Sequence, residues 1–190
     1  MREKVLLIGL STGGPAHINY LLSQIKKLDT HIIIVQHMRT EVIDFFLNDL
    51  QSGFDFEFTS TPTVLSASKR EIVICGKSAV ISNVSSSQIE IENSKITGRY
   101  TPDIDQLFLS AVSLCKNFSV YASLMTGIGD DGVKGLLELK KSGAITMAES
   151  KDSAPVFGMP RCAIEHNAVT HIFSLDDMIS FFASEGLIDV

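Results

Sequence analysis

Two apolar runs, Val5-Leu6-Leu7-Ile8 and Ile32-Ile33-Ile34-Val35, contain no polar residue at all. A strand with one wet face alternates, so a strand written this way must be covered on both sides. That occurs in parallel sheets sandwiched between helices. The first run leads through a glycine-rich turn and Pro15 into apolar positions Ile18, Leu21, Leu22, Ile25 and Leu28 at helical spacing. Proline suits the first helical turn, where its missing N–H costs nothing. After the second run, residues from about Thr40 to Leu50 read as a helix with Val42, Ile43, Phe46, Leu47 and Leu50 on one side. This βαβα opening predicts an α/β fold with a doubly wound, mostly parallel sheet flanked by helices.

The middle of the chain reads differently. Between residues 54 and 97 the segments are short and β-rich: Phe56 to Phe58, Glu71 to Ile74, Ala79 to Val84 and Ile89 to Glu92, with Ser85-Ser86-Ser87 as a hairpin turn. They predict a short antiparallel β insertion or edge hairpin. Pro102-Asp103 opens a helix reaching about Cys115, and strand–helix alternation then resumes. Val120 to Met125, Ala144 to Ala148 and Val169 to Phe173 read as strands. Gly132 to Ser142 and Leu175 to Ala183 read as helices, and Ser150 to Pro160 as a loop. With 190 residues and no linker or repeat, the chain is expected to form one domain, residues 1–190.

A net charge of -6 without a Lys/Arg cluster argues against a nucleic-acid partner. Cys75, Cys115 and Cys162 are widely spaced and odd in number, which suits a reducing compartment better than a disulfide framework. No stretch approaches the ~20 apolar residues of a spanning helix, and no signal peptide opens the sequence. A cytoplasmic location without stable membrane insertion is expected. The five histidines show no H-x-x-x-H or H-E-x-x-H spacing, so neither metal nor cofactor is expected. His17, His31, His166 and His171 read as surface or loop residues.

The chemistry concentrates in three glycine-rich or strand-end turns. Gly9, Ser11 and Gly13 form G-x-S-x-G at a strand-to-helix junction, the context in which that motif lifts a serine hydroxyl above a sheet edge. A helix N-terminus behind it offers unpaired N–H groups to an oxyanion. The same turn could hold a phosphate, although G-x-G-x-x-G and the Walker lysine are both absent. Taken alone, the turn fits either use. His37 stands just past the second strand, at the edge where open α/β sheets bind ligands. On its own such a histidine is more often structural; beside a serine it is a candidate general base. The third turn, Met125 to Gly132, carries Asp130 and Asp131. One of them could cap the following helix or orient the imidazole. The order Ser, His, Asp differs from the Ser, Asp, His of α/β-hydrolases.

These segments together resemble a known family. Ile8 to Pro15, Val35-Gln36-His37-Met38, Met125 to Gly132 with Gly135-Leu136, and Val156-Phe157-Gly158-Met159-Pro160 are similar, in order, to motifs of the catalytic domain of bacterial chemotaxis receptor protein-glutamate methylesterases. The resemblance implies a triad of Ser11, His37 and Asp131, with Asp131 chosen over Asp130, and oxyanion donors at the Thr12 and Ile128 backbone. It implies hydrolysis of glutamate methyl esters on the cytoplasmic helices of chemoreceptors, releasing methanol. Deamidation of receptor glutamines is left open, as are the substrate-binding residues and the oligomeric state. Four departures stand out: Asp130 for asparagine, Thr101-Pro102 for Arg-Pro, Ile74-Cys75-Gly76 for Ala-Pro-Gly, and Glu149 for a frequent glutamine. They are expected to bear on receptor docking and surface electrostatics. The usual member also carries an N-terminal receiver domain, which residues 1–190 are expected to lack. Two rivals stay open: a sugar-phosphate or nucleotide-binding module, and a receptor-binding scaffold without activity.

Overall fold

The structure, a computed structural model, describes residues 2–96 and 98–190. The first apolar run forms β1 (Lys4–Leu10), buried from Val5 onward. Helix α1 (Gly14–Gln24) carries Pro15 in its first turn and ends where Ile25 takes an extended conformation. Ile25 and Leu28 therefore do not continue the helix as their spacing suggested; Leu28 lies in a two-residue strand, β2 (Lys27–Leu28). Both side chains still reach the core. The apolar spacing reported burial correctly but not backbone conformation. The second apolar run forms β3 (His31–Gln36), and α2 (Thr40–Gly53) buries Ile43, Phe46 and Leu50. Val42 faces outward instead.

The segment expected to be an antiparallel insertion divides between two sheets. Strands β4 (Phe58–Ser60) and β6 (Ile72–Cys75) extend the parallel sheet. Only β5 (Thr63–Ser66), β7 (Ala79–Val84) and β8 (Gln88–Asn93) form a separate antiparallel sheet. Helix α3 (Ile104–Ala111) runs into a 3₁₀ turn at Val112–Lys116, then β9 (Ser119–Leu124), α4 (Val133–Lys141) and β10 (Ile145–Glu149) follow. A helix not anticipated, α5 (Met159–Glu165), starts inside the expected loop with Pro160 in its first turn. The chain closes with β11 (His171–Phe173), α6 (Leu175–Ser184) and β12 (Ile188–Asp189), the last pairing antiparallel with β2.

The main sheet has the order β11-β10-β9-β1-β3-β6-β4, and all its pairs are parallel. The sheet is thus doubly wound and mostly parallel, with helices on both faces, as the apolar runs required. Leu6 and Ile8 pack with α1, α2 and α6, whereas Val5 and Leu7 pack with α3, α4, α5 and the antiparallel sheet. From β1 the chain moves first toward β3 and later returns to the other side at β9. The C-terminal end of β1 is therefore the topological switch point, where a crevice opens between diverging loops. Among the described residues no helix is long and apolar enough to cross a membrane.

Candidate active site

Ser11 follows directly on β1. Its N–H donates to Thr126 O at 2.9 Å and its carbonyl accepts from Gly14 N–H at 2.9 Å. Gly13 turns the chain into α1 with φ 90°, a conformation that favours glycine. Gly127 lies against the serine so closely that a Cβ there would stand 2.6 Å from Ser11 Cβ. These contacts bear on the phosphate alternative. Two N–H groups of the turn are spent inside the protein, and the Gln36 side chain occupies the space a Cβ on Gly14 would need. Little of the turn is left for a phosphate cradle.

His37 follows β3, the neighbour of β1. Its N–H donates to Leu10 O at 2.9 Å. Gln36 Nε2 bridges the two turns, donating to Ser11 O and to His37 O, each at 2.9 Å. The imidazole stacks on Tyr100 with centroids 5.2 Å apart and planes inclined by 9°. Its Nε2 meets Asp131 Oδ2 at 2.7 Å. With Nε2–H donating to the carboxylate, Nδ1 is left as the ring nitrogen with a free lone pair. Ser11 Oγ, half-buried, has no hydrogen bond to the ring or to another partner among the described residues.

The adjacent aspartates differ in kind. Asp131 is 3% exposed and also accepts from the first two N–H groups of α3, Ile104 to Oδ2 at 2.8 Å and Asp105 to Oδ1 at 3.0 Å. Helix-terminal N–H groups favour an anion, so Asp131 is fixed as an acceptor before it meets His37. Asp130 points to solvent, accepting from the Tyr100 hydroxyl at 2.9 Å and facing Arg99. Asp105 is also near: it accepts from Gly135 N–H at 2.7 Å, and burial, opposed by that bond and reinforced by the Asp131 and Asp103 charges, pushes its carboxyl up to about 6.

Thr12 and Ile128, the expected oxyanion donors, are both exposed, and neither backbone N–H has a protein acceptor among the described residues. The Val156 to Pro160 motif supports this turn from behind. Gly127 N–H donates to Val156 O, and Gly127 O accepts from Gly158 and Met159 N–H. A Cβ on Gly158 would fall 2.5 Å from Gly127 O, so glycine is needed for the approach. An open cleft of about 490 Å³ runs beside Asp131, Tyr100 and Lys134, and another of about 540 Å³ beside Ile128, Arg99 and Arg161. Among the described residues no three of His, Cys, Asp and Glu gather as a metal would require.

Two expectations fail here. His17 and His31 are buried rather than on the surface, His17 against Glu149 and His31 against Ser66 and Glu71. Of the four departures, Glu149, Ile74 and Cys75 are wholly buried and cannot touch a docking partner, whereas Asp130 and Thr101 are exposed. Sequence reasoning also gave no role to Gln36, Tyr100 or Gly158. Gln36 and Gly158 had a signal, their places in the family motifs, and Tyr100 had none.

A serine at the end of β1 and a histidine–carboxylate pair from the turns after β3 and β9 stand at the switch-point edge of a doubly wound sheet, a combination of side chains that serine hydrolases use. Comparison with known proteins narrows that class: the CheB methylesterase model matches residues 6–182, and the chain belongs to this family. It is 34% identical over 179 residues to a protein-glutamate methylesterase/protein-glutamine glutaminase of Rhodospirillum rubrum, covering 92% of this chain and 48% of that one. It is 31% identical over 184 residues to another of that description from Chromobacterium violaceum, covering 95% and 51%. The chain thus spans about half the length of these curated relatives. The fold matches the crystal structure of the Thermotoga maritima CheB methylesterase catalytic domain with a TM-score of 0.82 at 23% identity, covering 97% of this chain and all of that one.

Proposed function

We propose that the protein is a cytoplasmic methylesterase that hydrolyses glutamate methyl esters on chemoreceptor helices, with Ser11 as nucleophile, His37 as base and Asp131 as its orienter. The observation that carries this reading is the 2.7 Å bond from His37 to a buried carboxylate already fixed by two helix N–H groups. Asp131 lines an open cleft at the same edge of the sheet as the half-buried Ser11. Nδ1 of His37 takes the Ser11 proton, Ser11 Oγ attacks the ester carbonyl, and the Thr12 and Ile128 N–H groups hold the oxyanion. The proton passes from His37 to the departing methanol. A water activated by the same nitrogen then releases glutamate and frees Ser11. The exposure of Thr12 and Ile128 suits a side chain presented by a folded protein rather than a ligand enclosed in a cavity. In this reading residues 1–190 act as one catalytic domain. Methanol release from methylated receptor tests it: Ser11→Ala is expected to lower kcat by about 10⁴ or more, since a triad acts as a unit. Receptor binding without methanol release by the native chain would favour a scaffold.

A further inference from the structure

Glu149 is the last residue of β10, wholly buried, and its carboxylate accepts three hydrogen bonds. His17 Nε2 lies 2.8 Å from Oε1, Ser153 Oγ donates to Oε1 at 2.7 Å, and Thr126 N–H donates to Oε2 at 2.9 Å. Each donor belongs to a different segment. His17 sits in the first half of α1, immediately after the Ser11 turn. Ser153 also accepts from Leu175 N–H at the start of α6. Thr126 lies just past β9, so its N–H has no strand partner and would be orphaned without the carboxylate.

Thr126 is also the residue that holds the nucleophile turn. Its carbonyl accepts from Ser11 N–H at 2.9 Å and its hydroxyl donates to Thr12 O at 2.8 Å. The turn is therefore gripped at both ends by groups that share one carboxylate: Thr126 beneath Ser11 and Thr12, and His17 on the helix that follows. We infer that Glu149, with His17, is a positioning residue that sets where Ser11 Oγ stands relative to His37 and the Thr12 N–H. The inference rests on the reading of Ser11 as nucleophile. A glutamine can serve the same geometry. Its oxygen accepts from Thr126 while its amide donates to Ser153 and to a His17 protonated on Nδ1.

The test is the rate at which a serine-directed phosphonate labels Ser11, with the labelled fraction read by mass spectrometry. The fraction reports how much protein is folded; the rate reports how well the serine is placed. Glu149→Ala is expected to slow labelling by about tenfold or more at an undiminished final fraction, in line with the sensitivity of reaction to misplacement. Glu149→Gln is expected to recover the rate to within about threefold. Wild-type labelling rates in Glu149→Ala, or a Glu149→Gln as slow as Glu149→Ala, would overturn the inference. Removing one partner of a buried pair can cost folding outright. Should Glu149→Ala not fold, His17→Ala decides, since it frees α1 but keeps the Thr126 and Ser153 bonds: slowed labelling supports the clamp and an unchanged rate refutes it. Native protein that labels at no serine would count against the nucleophile, a separate result.

Discussion

Replacing Asp131 by asparagine removes one charge and one acceptor from a carboxylate whose two oxygens are both in use. Its Oδ2 serves both His37 and Ile104 N–H, and its Oδ1 serves Asp105 N–H. An amide oxygen can take either place but not both. With the oxygen at Oδ2, the NH₂ confronts the Asp105 N–H. With it at Oδ1, the NH₂ confronts Ile104 N–H and forces His37 to accept at Nε2, which moves its proton onto Nδ1 and abolishes the base. Either orientation leaves at least one buried donor unpaired, a cost of about 1–3 kcal/mol in stability. The second orientation is favoured, because it keeps an acceptor for Asp105 N–H and lets the NH₂ donate to Nε2. The catalytic loss is then larger, about 10³–10⁴ in kcat, because the wrong tautomer cannot accept the serine proton. Asp130→Asn keeps an acceptor for the Tyr100 hydroxyl on a side chain 59% exposed, so a change within about threefold is expected for a surface site of this kind. Methanol release at substrate saturation, with unfolding midpoints measured alongside, separates the effects. Asp130→Asn falling further than Asp131→Asn, or Asp131→Asn keeping a tenth of native kcat, would refute the assignment.

Three further outcomes are expected. Tyr100→Ala removes the ring stacked on His37 and should lower kcat by roughly 2–10-fold, the equivalent of about 0.5–1.5 kcal/mol, while Tyr100→Phe keeps the stack and most of the rate. A steady-state assay of the pair checks whether the stack or the Asp130 bond matters. Asp105, raised from 3.8 to about 6, holds its proton more tightly folded than unfolded. Its effect on stability is therefore absent below about pH 4, grows as pH climbs through 6, and then stays as a constant loss. Asp105→Asn, which still accepts from Gly135, should match the native unfolding free energy at pH 4 and exceed it by about 1–2 kcal/mol at pH 8, solvent screening included. The Cys75 thiol, buried and pushed up to about 12, should resist alkylation at pH 8 in the native protein and react only after denaturation, whereas Cys162, partly exposed, should react first.

The parallel sheet was legible because its central strands are long and unbroken in apolar character, so only one environment suits them. The strands at its edge were not. Phe58–Ser60 and Ile72–Cys75 have three and four residues, too few to distinguish a parallel edge from an antiparallel hairpin. Helix α5 escaped for the same reason, since seven residues scarcely display a period of 3.6. Ser11, His37 and the Asp130–Asp131 pair could be picked out because glycine-rich or strand-end turns mark where side chains leave a sheet, and the family resemblance chose Asp131 from the pair. Tyr100 carries no such mark. It lies 63 residues from His37 in the chain and meets it only through folding. Glu149 and His17 misled in the opposite sense. Polar residues at a strand end and in a helix read as surface, and it is their mutual hydrogen bond, with those from Ser153 and Thr126 to Glu149, that offsets burial.

The strand order explains why the histidine and the aspartate come from different sides. Neighbouring strands stand about 4.8 Å apart, so the ends of β3 and β9 lie roughly 10 Å from one another with β1 between them. His37 follows β3 and Asp131 lies in the turn after β9, and their side chains meet although β1 stands between those strands. The His37–Asp131 bond is thus a bridge between turns of the two strands that flank the serine's own. Its two footings are held separately, His37 by Gln36 and the Leu10 carbonyl, Asp131 by the start of α3. A bridge built this way keeps its span only while β3, β1 and β9 keep their register. That register depends on the unbroken apolar runs, so the residues that specify the fold also set the distance between the groups at its edge.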